Sequence, residues 1–246
     1  MHAPDDMLER LLLISTSTVH GSGYLDYCAA EIQEFLRDRP PVLFIPFARP
    51  SGISHEDYSR RARDRFAQMG LELRGIEAAG DQKQAIETAE AVFIGGGNTF
   101  LLLRDLYAAD LVDLIRDRVG SGVRYIGTSA GANVAGLTIG TTNDMPIVFP
   151  PTFDALALVP FNINPHYTDP DPDSKHKGET REARINEFHA INEQPVVGLR
   201  EGAWLEINGA SVTLRGTAGA RLFRCNRDPE EFTAGAELDF LLASDT

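Results

Sequence analysis

The chain has 246 residues, 43% of them hydrophobic and 24% charged, the balance of a folded core with a soluble surface rather than of a disordered or collagen-like polymer. Its 23 basic and 36 acidic residues leave a net charge of −13, a field that repels phosphate backbones and argues against nucleic-acid binding. Two cysteines, Cys28 and Cys225, are too few for a disulfide framework or a four-thiolate zinc site, and the early apolar run at 11–14 is far short of the ~18 residues that span a bilayer. The first residues, Met1-His2-Ala3-Pro4-Asp5-Asp6, are acidic where a secretory signal is basic, so a cytoplasmic, reduced protein is expected.

Apolar bursts then alternate with helical spacing. Residues 11–15 read as a first buried strand, and 22–38 as a helix with Leu25, Ala29, Ile32 and Leu36 on one face. The continuous run 41–47 is a strand covered on both faces. Residues 54–69 form a charged helix ending at Gly70, 71–76 a third strand, and 81–89 a short helix. Residues 91–94 are a fourth strand running into Gly95-Gly96-Gly97-Asn98-Thr99. The leucine-rich stretch 100–119 is helical with a break near Asp110, and 123–127 is a fifth strand, followed directly by Ser129-Ala130-Gly131. Such β–α alternation predicts a parallel sheet with helices on both faces. Right-handed crossovers bring all strand C-termini to one edge, where the two glycine-rich turns face a common crevice.

The second half is more irregular. Residues 143–151 are Pro-rich, 159–164 read as a strand leading to Pro165-His166, 168–177 as a loop, and 178–190 as a helix. Short strands follow at 196–199, 203–207, 212–214 and 222–224, with turns at Asn208-Gly209 and Gly216. No linker or repeat interrupts the chain, so one domain is expected over 1–246. The stretch 226–246 carries no recognisable role.

Gly127-Thr128-Ser129-Ala130-Gly131 fits G-x-S-x-G between a strand and a helix start. In that context the glycines permit a sharp turn that projects Ser129 into the crevice, and the N–H of Ala130 faces a developing oxyanion. Gly95–Gly97 offers a second donor. Neither turn is a P-loop, because no Lys follows, and neither completes a dinucleotide fingerprint. A tight-packing or phosphate-binding role is the competing interpretation of such turns. A serine nucleophile requires a base and an orienting acid. Spacing leaves both His20 and His166 as candidate bases. Asp144 lies beside Pro146, which restricts the local backbone, but Asp154 and the loop acids compete with it.

Five segments occur in order: Ile94-Gly95-Gly96-Gly97-Asn98-Thr99-Phe100, Gly127-Thr128-Ser129-Ala130-Gly131-Ala132-Asn133, Thr141-Thr142-Asn143-Asp144-Met145-Pro146-Ile147, Ile163-Asn164-Pro165-His166 and His176-Lys177-Gly178-Glu179-Thr180-Arg181. Together they resemble the aspartyl dipeptidase family known as peptidase E, and the likeness runs from the first strand through Leu199-Arg200-Glu201-Gly202. The resemblance implies a three-layer α/β sandwich with a mostly parallel sheet, related to class I glutamine amidotransferases, with a small antiparallel extension near the C-terminus. It implies a serine peptidase that needs no cofactor or metal and cleaves dipeptides with N-terminal aspartate. Ser129 is then the nucleophile, His166 the base and Asp144 the orienting acid. Gly97 and Ala130 supply the oxyanion hole, and Arg181 and Asn98 contact substrate.

An acidic protein that binds an acidic dipeptide needs a local cation. Arg181 is chosen to clamp the β-carboxylate, while Arg60, Arg61, Arg63 and Arg65, interleaved with acids on one helix, read as a solvated face. The loop 168–177 reads as a lid or a weak cation loop, its prolines arguing against an EF-hand. A monomer or homodimer is expected. The rivals are a cyanophycinase-like β-aspartyl peptidase, a non-catalytic binder of small acidic ligands, and a glutamine amidotransferase-like enzyme. The last is disfavoured because the elbow carries Ser rather than Cys.

Overall fold

The computed structural model describes residues 10–38, 40–50, 52–170 and 178–243. The apolar bursts of the first half become β1 (Arg10–Ile14), β2 (Val42–Ile45), β3 (Leu73–Gly75), β4 (Ala91–Ile94) and β5 (Arg124–Thr128), all parallel in the order β3-β2-β4-β5-β1. Between them lie α1 (Ala29–Phe35), α2 (His55–Gln68), α3 (Gln82–Glu87), α4 (Thr99–Ala108) and α5 (Val112–Gly120). Strand periodicity sorts the side chains into two cores. Leu11, Leu13, Leu43, Ile45, Val92 and Ile94 pack with Ile86, Leu102, Leu106 and Ile115. On the other face, Leu12, Ile14, Val42, Phe44 and Phe93 pack with Ile32, Phe35, Ala62 and Phe66. These strands are therefore apolar at every step, and each large side chain so buried contributes ~1.5–3 kcal/mol.

Helix starts follow side-chain caps. Ser54, Asp81 and Asn98 accept from the N–H groups of Asp57, Gln84 and Leu101 at 3.0, 3.1 and 3.0 Å. The break expected near Asp110 separates α4 from α5, with Asp110 at φ 52°. The helix expected over 22–38 is shorter. Its first part is an irregular turn, with Gly21 at φ 80° and Leu25 at φ 56°, in which Leu25 N–H donates to Ser17 O and Gly23 N–H to the Asp26 carboxylate. Those local bonds replace the helical ladder until Ala29.

After α6 (Ala130–Asn133) the chain builds β6 (Asn162–Tyr167), α7 (Arg181–His189), β7 (Val196–Arg200), β8 (Ala203–Asn208), β9 (Ser211–Gly216), β10 (Ala220–Phe223) and β11 (Glu230–Phe232). The short late strands do not form one extension. The hairpin β8–β9 adds antiparallel to β1 and completes a seven-stranded sheet, whereas a second, four-stranded sheet has the order β11-β10-β7-β6. Within the latter β6 and β7 are parallel. The mixed α/β architecture with a mostly parallel main sheet stands as the sequence predicted. β11 and the turn Asp239–Leu241 account for part of the C-terminal stretch: β11 pairs with β10, and the Asp239 carboxylate accepts from Val212 N–H at 2.7 Å. No helix among the described residues is long and apolar enough to cross a membrane.

Candidate active site

Ser129, the candidate nucleophile, is placed by backbone packing. β5 ends at Thr128, and Ser129 follows at φ 53°, ψ −111°, a strained elbow before α6. Ser129 N–H donates to Ile14 O at 3.0 Å, tying the elbow to the end of β1. Two glycines make this approach possible. A Cβ on Gly131 would overlap the carbonyl of Ile94, at the end of β4, and Gly97, at φ 148°, would drive one into the carbonyl of Ala48. Gly96 lies between the turns, where an added Cβ would stand 3.0 Å from Ser129 Cβ. Among the described residues, no backbone carbonyl accepts the N–H of Gly97 or of Ala130.

His166, the candidate base, comes from the second sheet. His166 sits near the end of β6 at φ 54°, where the β6–β7 register shifts between Pro165 and Tyr167. This bulge turns the imidazole out of the strand alternation. Its Nε2 lies 2.8 Å from Ser129 Oγ. Its backbone N–H donates to Ser15 Oγ at 2.9 Å, and Ser15 Oγ donates in turn to Leu199 O at 2.7 Å. Ser15 thus locks the two sheets together directly behind the pair. His20 makes no such approach to Ser129.

The acid differs from the expectation. His166 Nδ1 lies 2.6 Å from Oε1 of Glu201, which follows β7, the parallel neighbour of β6. Asp144 does not contact His166. Its Oδ2 accepts from Thr99 N–H at 2.7 Å, Thr99 Oγ1 at 2.6 Å and Thr142 Oγ1 at 3.3 Å, so Asp144 anchors to the start of α4. The physical reason is chain position: strands β6 and β7 end side by side, while 142–145 crosses on the α4 side of the crevice. The carboxylate in contact with His166 is thus Glu201, which no sequence motif assigned to that place. Its signal was available, since a carboxylate one residue past a strand that neighbours the histidine strand reaches the same edge.

Asn98 caps α4 through Oδ1 and donates through Nδ2 to Met145 O at 2.9 Å, so both of its polar atoms hold structure. Arg181 is the first residue of α7, whose cap Thr180 accepts from Ala183 N–H at 3.0 Å. Partial burial, then repulsion from Arg184, lowers the Arg181 pKa, and Asp144 opposes them. Of the expected lid, 168–170 are described, and Asp169 joins Arg200 in a two-point contact at 2.6 and 2.8 Å; residues 171–177, including Asp171, Asp173, Lys175, His176 and Lys177, lie outside the described residues. A separate cleft of about 650 Å³ opens at the other end of the strands among Arg10, Arg37, Arg118 and Arg124, and holds none of these groups.

A hydroxyl in contact with an imidazole that is itself held by a carboxylate is the arrangement of serine acyl transfer. Known proteins are similar to this chain. A peptidase E from Streptomyces coelicolor is 47% identical over 232 residues, covering 94% of each chain. A Drosophila melanogaster protein named "probable alpha-aspartyl dipeptidase" is 46% identical over 235 residues, covering 94% of this chain and 97% of its own. The crystal structure of a peptidase from an acI-B1 Actinobacterium shares the fold at a TM-score of 0.73 with 17% identity, covering 95% of this chain and 98% of the other. The model of peptidase family S51 matches residues 11–215, and the chain belongs to that family.

Proposed function

We propose that the protein is a serine-type dipeptidase that hydrolyses Asp-X dipeptides through an acyl-enzyme on Ser129. The observation that carries this reading is the continuous contact from Ser129 Oγ to His166 Nε2 at 2.8 Å and from His166 Nδ1 to Glu201 at 2.6 Å. In this reading His166 takes the Ser129 proton as Oγ attacks the scissile carbonyl, and Glu201 keeps Nδ1 protonated and stabilises the imidazolium. The N–H groups of Gly97 and Ala130 receive the oxyanion. His166 then protonates the leaving amine of residue X. Water, activated by the same imidazole, releases aspartate and restores Ser129.

Arg181 supplies the cation that an acidic side chain requires within a molecule of net charge −13. A charge-assisted bond of this kind is worth ~1.5–3 kcal/mol, roughly ten- to a hundredfold in selectivity. The cytosol suits a chain whose two cysteines are both free. The names of the relatives support N-terminal aspartate as the preferred residue. The test is a panel of Asp-Leu, Glu-Leu, Asn-Leu and β-aspartyl-leucine offered to the parent enzyme and to Ser129→Ala. The parent is expected to prefer Asp-Leu, and Ser129→Ala to lose at least about a thousandfold in kcat. Cleavage of Asp-Leu at the parental rate by Ser129→Ala rejects the covalent mechanism, and preference for β-aspartyl-leucine moves the protein to the cyanophycinase-like reading.

A further inference from the structure

The edge of the main sheet opposite Ser129 holds a concave feature that hydrolysis does not use. The cleft of about 650 Å³ at the N-terminal ends of the strands is walled by Arg10, Arg37, Arg118 and Arg124, with Asp38 and Glu90 as its acids. We propose that this cleft binds a small diphosphate-bearing anion, held between the guanidinium groups of Arg10 and Arg118. The proposal is independent of the dipeptidase reading, because none of these residues belongs to the catalytic edge.

Three observations support it. First, the strand register sets like charges side by side. Leu11 pairs with Tyr125 in the parallel β1–β5 ladder, so Arg10 and Arg124, each one residue earlier, enter adjacent strands on the same face. Like charges so placed oppose folding unless an anion lies among them. Asp38 answers Arg124 and Arg37 with ion pairs. Arg10 has no ion pair among the described residues. Partial burial, then repulsion from Arg124 and Arg37, lowers its pKa, while Asp38 and Glu206 oppose the shift.

Second, Arg10 and Arg118 are held in place without being neutralised. Arg10 Nη2 donates to Phe35 O at 3.3 Å, and its guanidinium lies 5.2 Å from the centre of the Phe35 ring. Arg118 Nη2 donates to Ala89 O at 3.3 Å, and its buried Nε has no acceptor among the described residues. A carbonyl fixes a guanidinium but leaves its charge and its other N–H groups unanswered.

Third, the dimensions and the charge select the ligand. The cleft has room for more than a single halide or phosphate ion. Two guanidinium forks on separate elements, β1 and α5, match two tetrahedral oxyanion groups. The net charge of −13 repels a long polyanion that lies across the acidic surface. A ligand enclosed in the cleft meets the local excess of arginine instead.

The test is calorimetry of the full chain with inorganic pyrophosphate, orthophosphate and chloride at one fixed ionic strength. Pyrophosphate is expected to bind saturably at one site and to raise the melting temperature with concentration, as a ligand of the folded state does. Orthophosphate is expected to bind at least about tenfold more weakly, and chloride not to bind. Absence of saturable pyrophosphate binding, or an equal response to all three ions, overturns the proposal.

Arg10→Gln combined with Arg118→Gln is expected to weaken pyrophosphate by at least about tenfold, with thermal unfolding verifying the fold. Arg118→Lys keeps the charge and removes the fork, and it carries the same test if the double variant does not fold; undiminished binding in either variant overturns the proposal. Arg181→Gln, at the catalytic edge, is expected to bind pyrophosphate as the parent does. Loss of binding there places the anion in the crevice and overturns the proposal, leaving the dipeptidase reading untouched.

Discussion

The two sheets that meet at Ser129 are built differently. The main sheet brings the serine to its edge on strands that are apolar and buried, with glycines where backbone meets backbone. The second sheet brings His166 and Glu201 on side chains that are 36% and 50% exposed, held by hydrogen bonds and ion pairs. One half of the site is therefore fixed by sterics and the other by polar contacts. The lesson is that equivalent damage reads out differently: as lost stability on the first side, as lost turnover with an intact fold on the second.

The largest effect expected from this contrast is at Glu201. Glu201→Gln keeps the shape of the contact but removes the charge that stabilises the imidazolium, so kcat is expected to fall by about 10²–10⁴-fold with little change in melting temperature. Steady-state kinetics beside thermal unfolding makes the check, and an unchanged kcat would break the comparison by reducing the second sheet to scaffold. Next comes Gly131→Ala. The added Cβ collides with the carbonyl of Ile94, a backbone atom that cannot swing aside, and the cost is expected at about 1–3 kcal/mol or more. In a chain of this size that is several degrees of melting temperature, at roughly 2–4 °C per kcal/mol. A variant that melts with the parent would show that the two turns are less tightly pressed than described.

The smallest effect concerns acid. The hydrogen bond from Arg200 holds the Asp169 pKa below the ordinary carboxylate value. A depressed folded-state pKa contributes stability that is complete above the unfolded carboxylate range and is lost as pH falls through the folded value. Both partners are partly solvated, so the pair is worth less than about 1 kcal/mol. Asp169→Asn should therefore lower the melting temperature slightly near neutrality and converge with the parent once pH falls below the depressed folded-state value. A constant gap down to that acidity would assign the difference to packing of the Asp169 side chain.

What could be read from the residues divides along the same line. Strand runs such as 91–94 and 123–127 declared themselves, because burial on both faces leaves no polar step. Ser129 was legible for a local reason: glycine, serine and glycine at fixed spacing between a strand and a helix specify one backbone shape. The acid was not legible in this way. Asp144 and Glu201 both follow plausible turns, and only the parallel pairing of β6 with β7 brings Glu201 beside His166. Asn98 shows the same gap on a smaller scale: its capping of α4 is local, but its hold on Met145 depends on a segment 47 residues away.

Local chemistry thus determined the elements, the elbow and the parallel main sheet, because each depends on neighbours in sequence: side-chain periodicity, helix caps and glycine freedom. Tertiary structure alone decided which carboxylate reached the imidazole and where the late strands divided between two sheets. Those outcomes depend on the register of strands far apart in the chain. Register is set by long-range packing, which no short window of residues contains.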